Sequence, residues 1–364
     1  MMVPINSLMR SFRLHQAEYE EKALEVLRSG WYVLGKEVAQ FEEEFAALAG
    51  TKYSIGVDNG LNAIVLGIKA LGIGEGDEVI VAANTYIATV LGVSLNKATP
   101  VFVDADEYHN IDPAKIESAI TEKTKAVLVT HFYGQACQMK QIKEICDGNN
   151  IYLLEDCAQA HMAESYGKQV GSWGIMGFFS FYPTKNMGGF GDGGAITTDC
   201  EELSTKLRAL RNYGSTQRYK NDYEGHNARL DELQAGLLRI KIKHGQEITN
   251  ERIRIAGRYM SEIHNPKIEL PMTASKCTHV YHLFVVQAAD RDRFRTYMAE
   301  QGVSTDVHYP TPPYLARPYA PLGYGREDFP ITKRLYSKIV SIPIFNGMTD
   351  EEQQIVIDAI NHYQ

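Results

Sequence analysis

The chain has 364 residues, long enough for a large core and two domains. Hydrophobic residues make up 44% and charged ones 23%, the balance of an ordinary globular protein, which excludes a disordered or low-complexity chain. A net charge of −8 argues against a general nucleic-acid-binding surface, and it requires any anionic ligand to be held by local donors.

Along the chain, Met1–Leu14 lacks the apolar centre of a signal peptide, and no window holds the run of about eighteen apolar residues that a membrane helix needs. Val38, Phe41, Phe45 and Leu48 fall on one helical stripe. A turn-rich patch follows, and Asn59-Gly60 opens a second helical run to Leu71. Strands are expected at 78–82, 100–103, 126–130, 151–154, 177–181 and 194–198. Helices are expected between most of them, at 85–95, 113–120, 139–146 and 201–210. Continuous apolar strands alternating with helices indicate an α/β fold with a mainly parallel sheet covered on both faces. Leu230, Leu233, Leu237 and Ile240 mark a long helix that leads out of this domain. The pattern then changes, so residues 1–245 are expected to form a large α/β domain and 246–364 a smaller α+β domain. The smaller one has a strand at 282–286, helices at 291–301 and 350–362, and an ordered Pro/Tyr-rich loop at 307–324. The five cysteines are widely spaced with no Cys-x-x-Cys pair, which fits reduced thiols in a cytoplasm and no zinc site.

In open α/β sheets ligands sit at the carboxyl ends of the strands. Four predicted ends carry functional side chains: Asn84-Thr-Tyr86, His131-Phe-Tyr-Gly134, Glu155-Asp-Cys-Ala-Gln-Ala-His161 and Tyr182-Pro-Thr-Lys185. Lys185 alone reads as a solvated loop lysine. Beside aromatic side chains, however, an ammonium is easily deprotonated, and a neutral amine makes Schiff bases with aldehydes. Asp156 reads equally as a helix N-cap or as the partner of a buried cation, with Glu155 pointing the other way by strand alternation. A lysine, a carboxylate, an aromatic platform and a phosphate cup are the set that pyridoxal phosphate requires. Tyr86 reads as that platform or as plain core packing, and Gln159 as a hydrogen bond to the ring oxygen or as an ordinary loop amide. The helix start at Gly60 and Leu61 reads as a plain Asn-Gly turn or, with the Ser180 hydroxyl, as the cup.

These segments, with Gly30-Trp-Tyr-Val-Leu-Gly35, Gly74-Glu-Gly-Asp-Glu-Val-Ile-Val81 and Asn227-Ala-Arg-Leu-Asp-Glu-Leu-Gln234, give nearly the whole chain a resemblance to a known family. It resembles the pyridoxal-phosphate nucleotide-sugar aminotransferases of the DegT/StrS type, in the fold type I (aspartate aminotransferase) superfamily. The resemblance implies Lys185 as the Schiff-base lysine and proton carrier, Asp156 opposite the pyridine nitrogen, Gln159 near the ring oxygen and Tyr86 stacked on the ring. It implies phosphate contacts from Gly60, Leu61, Ser180 and, across a subunit boundary, Asn227, in a homodimer with shared active sites. L-glutamate is the implied donor and a nucleotide-linked keto-sugar the acceptor. The stretches around Lys185, Asn212-Tyr-Gly-Ser215 and His308-Tyr-Pro310 look closest to enzymes that aminate C3 of dTDP-3-oxo-6-deoxyhexoses, in deoxysugar biosynthesis for O-antigen or another surface polysaccharide.

Tyr182, Arg218, His308 and Tyr309 are therefore the substrate candidates, with Arg218 reading equally as a solvated arginine and His308 as a structural histidine. Asn62 and Thr184 depart from the residues common in the family and loosen the choice of sugar. Amination at C4 of a UDP- or dTDP-4-keto-6-deoxyhexose stays open, as does a non-catalytic regulatory protein of the same fold. A dehydratase relative would carry histidine at Lys185. A dinucleotide oxidoreductase would need its Gly-x-Gly-x-x-Gly after an early strand rather than the late cluster 188–194.

Overall fold

Runs such as Glu78-Val-Ile-Val-Ala82 are β-branched and apolar on both faces, so they form strands only where both faces are covered. In the computed structural model, which describes residues 2–364, they do so. Met1, at the head of the expected large domain, lies outside the described residues. In chain order the strands are β1 (Tyr53–Val57), β2 (Glu78–Ala82), β3 (Thr99–Val103), β4 (Thr124–Thr130), β5 (Tyr152–Asp156), the short hairpin β6 (Glu164–Ser165) and β7 (Lys168–Gln169), β8 (Met176–Ser180) and β9 (Gly194–Thr198). Seven of them form one sheet in the order β1-β9-β8-β5-β4-β2-β3. Pairing is parallel from β3 through β8, and β9 alone runs against its neighbours. The chain steps outward from β2 to β3, then returns to place β4 on the other flank of β2. The sheet's order reverses there, and its strands end together beside that reversal.

β1 replaces the turn-rich patch expected before Asn59. Ser54 and Gly56 dilute its apolar pattern, and its pairing partner, β9, is remote in sequence. Gly56 also admits the Leu230 side chain, which a Cβ there would meet at 3.0 Å. The helix Gly60–Ala70 follows, with the Asn59 side chain accepting the Asn62 amide at 2.8 Å. The helix expected at 113–120 is a single turn, Pro113–Ile116, continued as a 3₁₀ turn.

Past the hairpin β10 (Ser215–Gln217) and β11 (Lys220–Asn221), the helix Glu232–Lys243 begins after Leu230, so that residue packs ahead of it. The smaller sheet is antiparallel: β12 (Ile268–Glu269), β13 (Phe284–Ala288) and β14 (Ile339–Ile342). The sequence pattern gives only the middle strand, because four residues such as Ile339-Val-Ser-Ile342 are too few to show alternation. Two segments cross between the cores. Val3 pairs beside Val303 in the smaller core, while Tyr314, Tyr319 and Phe329, from the Pro/Tyr-rich stretch and just beyond it, pack on the larger one.

A buried ion pair braces the seven-stranded sheet at its β1 edge. Glu42, 5% exposed, accepts from the Gly56 amide at 2.9 Å and from both Arg208 and Arg211. Arg211 is buried, so removing Glu42 leaves an uncompensated interior charge, whereas the part-exposed Arg208 adds little. Glu42→Ala is expected to lower the unfolding free energy by about 3 kcal/mol in urea denaturation; a loss below about 1 kcal/mol would show that the pair is not structural.

Candidate active site

The ends of β2, β4, β5 and β8 meet at a cavity of about 600 Å³. Asp156 is the last residue of β5 and is buried. One carboxylate oxygen accepts from the Thr89 hydroxyl at 2.6 Å and the other from the Ala158 amide at 3.1 Å. Because the Thr89 proton goes to Asp156, Thr85 must donate to Thr89 at 2.8 Å and accept in turn from Thr130 at 2.8 Å. Burial pushes the Asp156 carboxyl above the usual range, while Thr89, the Ala158 amide and the charge of Lys185 pull it back.

Glu155, next along the strand, points to the opposite face. It accepts from the amides of Gly171, Trp173 and Gly174 at 2.7–2.8 Å and from His131 at 3.1 Å. His131 Nδ1 accepts from the Cys137 amide, so its proton is on Nε2 and points at Glu155.

Lys185 follows β8 in two tight turns, with its amide donating to the Tyr182 carbonyl and its carbonyl accepting from Gly188, each at 2.8 Å. Gly188 lies so close to the Pro183 carbonyl that a Cβ would meet that oxygen at 2.2 Å. The glycine cluster therefore folds the lysine loop, and Gln234 pins it by accepting the Phe190 amide at 2.9 Å. Burial pulls the Lys185 ammonium down to about 8, with Asp156 opposing. Of the histidines nearby, His161 is pushed down to about 3 and His282 and His308 are lowered, in each case first by burial. They stay neutral at pH 7, and Asp156 is the charge that acts on Lys185, although Asp192 and Asp306 also line the cavity.

The remaining candidates divide. Gly60, Leu61, Tyr86, Gln159, Ser180, Tyr182, His308 and Tyr309 all line the cavity with Asp156 and Lys185. Asn59 occupies the amides of Asn62 and Ala63, leaving those of Gly60 and Leu61 for a ligand. A Cβ at Gly60 would stand 2.7 Å from the Ser180 Cβ, so only glycine lets helix and strand end close into a cup. Ser180 accepts the Tyr182 amide at 3.3 Å, which leaves its own proton to donate. Gln159 is turned by the Tyr133 amide, which donates to its oxygen at 2.7 Å, so its NH₂ faces the Tyr309 hydroxyl at 3.4 Å. Tyr86 lies against Tyr309 with ring centroids 4.5 Å apart.

His308 Nδ1 bonds Ser341 Oγ at 2.8 Å, and Asp306 lies 3.7 Å from its other ring nitrogen. Asn62 binds the Asp58 carboxylate at 2.8 Å. Arg218 and Asn227 are not in this cavity. Arg218, in the turn between β10 and β11, stands over the Tyr219 ring at 5.0 Å, and Asn227 is exposed beside Asn212. Sequence reasoning missed Thr85, Thr89, Thr130 and Tyr133, whose only signal is their closeness to the strand ends.

The lysine, the buried carboxylate, the aromatic platform and the amide cup fit pyridoxal phosphate. Comparison with known proteins agrees. The profile of the DegT/DnrJ/EryC1/StrS aminotransferase family matches residues 14–361. Over 363 residues, 100% of this chain and 99% of the relative, the sequence is 48% identical to a dTDP-3-amino-3,6-dideoxy-alpha-D-galactopyranose transaminase of Aneurinibacillus thermoaerophilus. The fold superposes with TM-score 0.97 and 41% identity on DesV of S. venezuelae, solved in complex with a ketimine intermediate, covering 99% of this chain and 98% of that one. NtdA from Bacillus subtilis, solved with bound cofactor PMP, gives TM-score 0.89 at 31% identity over 96% of this chain and 81% of that one. The chain is a member of the DegT/DnrJ/EryC1/StrS aminotransferase family.

Proposed function

We propose that this enzyme moves an amino group from L-glutamate to C3 of a dTDP-linked 3-oxo-6-deoxyhexose, giving a dTDP-3-amino-3,6-dideoxyhexose. The observation that carries the reading is the joint placement of Lys185 and Asp156 in one cavity whose lining includes Tyr182, His308 and Tyr309. Likeness to a transaminase named for a dTDP-3-amino-3,6-dideoxyhexose supports the choice of C3.

Pyridoxal phosphate, when bound, supplies an aldehyde that carries the amino group and a ring that takes up negative charge. Gly60, Leu61 and Ser180 would hold its phosphate through two amides and a hydroxyl, and Tyr86 and Gln159 would fix the ring. Asp156 would hold a proton on the ring nitrogen through a charge-assisted hydrogen bond, which would also offset its own burial. Lys185 acts twice. Its amine would be the nucleophile that holds the cofactor, and as a free amine it would take a proton from the substrate carbon and return one, as base and then acid. A near-neutral amine suits both roles, because each protonation state is populated close to pH 8. Neutral His308, braced by Ser341, offers one ring nitrogen to a sugar oxygen.

We read residues up to about 245 as the cofactor domain and the rest as the smaller domain. Two copies share their sites in this reading: Arg218 and Asn227 serve the partner's cavity, one for the diphosphate and one for the cofactor phosphate. Exposed Trp31, Tyr32, Tyr182, Phe190, Tyr213 and Tyr219 support a second copy. The five free thiols fit the cytoplasm. No helix among the described residues is long and apolar enough to cross a membrane.

Asp156→Asn is expected to keep the fold and lose about tenfold to about 150-fold in turnover, the rate equivalent of a charge-assisted hydrogen bond; turnover near wild type would remove its role. Capture of pyridoxal phosphate by the apoprotein, followed as visible absorbance, is expected to speed up with pH to about 8 and then level off, as the Lys185 amine becomes neutral. A rate that climbs through about pH 10 would mean an unshifted lysine. Matched assays with 3-keto and 4-keto dTDP-sugars and L-glutamate, read by NMR, are expected to place nitrogen on C3; product aminated at C4 alone contradicts the assignment.

A further inference from the structure

Behind the loop that carries Lys185 lies a second cavity of about 230 Å³. The N-terminal segment from Asn6 to His15, the loop 183–190, and Lys241, Arg252 and Asn346 bound it. Asn6, Thr184 and Lys185 line both cavities, so the two share a wall. The ionisable lining has one sign: His15, Lys185, Lys241 and Arg252 contribute, and no aspartate or glutamate does. In a chain of net charge −8 this is a local inversion.

No carboxylate in the cavity wall neutralises these cations, and Glu251, outside that wall, offsets the charge of Arg252 alone. Lys241, 8% exposed, stands over the Tyr19 ring at 5.5 Å and makes no hydrogen bond or ion pair among the described residues. Arg252, 3% exposed, donates through Nε to Asn346 at 3.0 Å and through Nη1 to the carbonyls of Tyr281, His282 and Ile344 at 3.0–3.4 Å. Its Nη2 has no partner among the described residues. His15 Nε2 is buried and also unpartnered. Burial and the charge of Arg252 pull Lys241 down to about 8, so it remains mostly charged at pH 7. An interior cation without a counter-ion is costly, and an anion between two of them removes that cost. The space is smaller than the roughly 300 Å³ at which drug-sized ligands begin to fit, so a nucleotide sugar is excluded and a single small anion is admitted.

We propose that this cavity binds one small oxyanion, a phosphate or a carboxylate, between Lys241 and Arg252, with His15 Nε2 as a neutral donor. Occupancy would tie the N-terminal segment to the loop of Lys185.

The test is calorimetric titration of the holoenzyme, whose cofactor phosphate cup is already filled, with inorganic phosphate and separately with acetate. Saturable binding of one ion per chain is expected, weakened about tenfold or more by Lys241→Met and partly restored by Lys241→Arg. Arg218→Ala, which removes a candidate group for the substrate diphosphate, is expected to leave this binding unchanged. Phosphate alone binding assigns phosphate; acetate competing with it assigns a carboxylate. No saturable binding of either ion, or Lys241→Met binding as well as wild type, overturns the proposal. If Lys241→Met does not fold, wild-type crystals soaked in tungstate decide: anomalous density beside Lys241 supports the site, and density confined to the larger cavity, or none, overturns it.

Discussion

A buried carboxylate that needs a cation sets the terms for this molecule. Asp156 is withdrawn from water at the end of a central strand, with a threonine hydroxyl and a single amide as its protein partners. Neither brings positive charge, so the carboxylate is stabilised only in part. The nearby histidines are held neutral by burial, and Lys185 is itself half-deprotonated near pH 8. At pH 7 Lys185 still carries most of its charge, but this offsets the burial of Asp156 only in part, and a ligand with a basic ring nitrogen would add the rest. The same desolvation that makes Asp156 seek a cation makes Lys185 a nucleophile, so one dry cavity prepares both groups.

The sheet makes this possible because parallel strands bring their carboxyl ends to one side. Successive residues of β5 then do different work on its two faces. Glu155 gathers three loop amides and the His131 proton, fixing the connection into β8, while Asp156 faces the cavity. A shift of one residue in β5 would exchange the two carboxylates. The parallel pairing of β5 with β4 on one side and β8 on the other prevents that shift. The lysine loop is fixed as tightly, by glycine at the Pro183 carbonyl and by Gln234 at Phe190.

Much of this was legible in the residues, and the gaps have physical causes. β2, β9 and the helix Glu201–Leu210 appear within their expected limits because each is locally consistent. β1 was hidden because Ser54 and Gly56 break its apolar run and its stability comes from remote β9 and Leu230. The threonines behind Asp156 look like core filler in the sequence, since nothing local shows that three strand and helix ends converge. The roles that the resemblance implies for Arg218 and Asn227 are not visible in one chain, because both are exposed and neither lines its cavity. Lys241 and Arg252 sit on successive helices as ordinary basic residues, and only the cavity they share gives them meaning.

The proposed chemistry requires Lys185 to be the residue that joins the cofactor. Borohydride reduction of the reconstituted enzyme, followed by proteolysis and peptide mass spectrometry, tests this directly. The phosphopyridoxyl mass is expected on Lys185 alone. That mass on another lysine, or unmodified Lys185 in a protein that retains the cofactor, would contradict it.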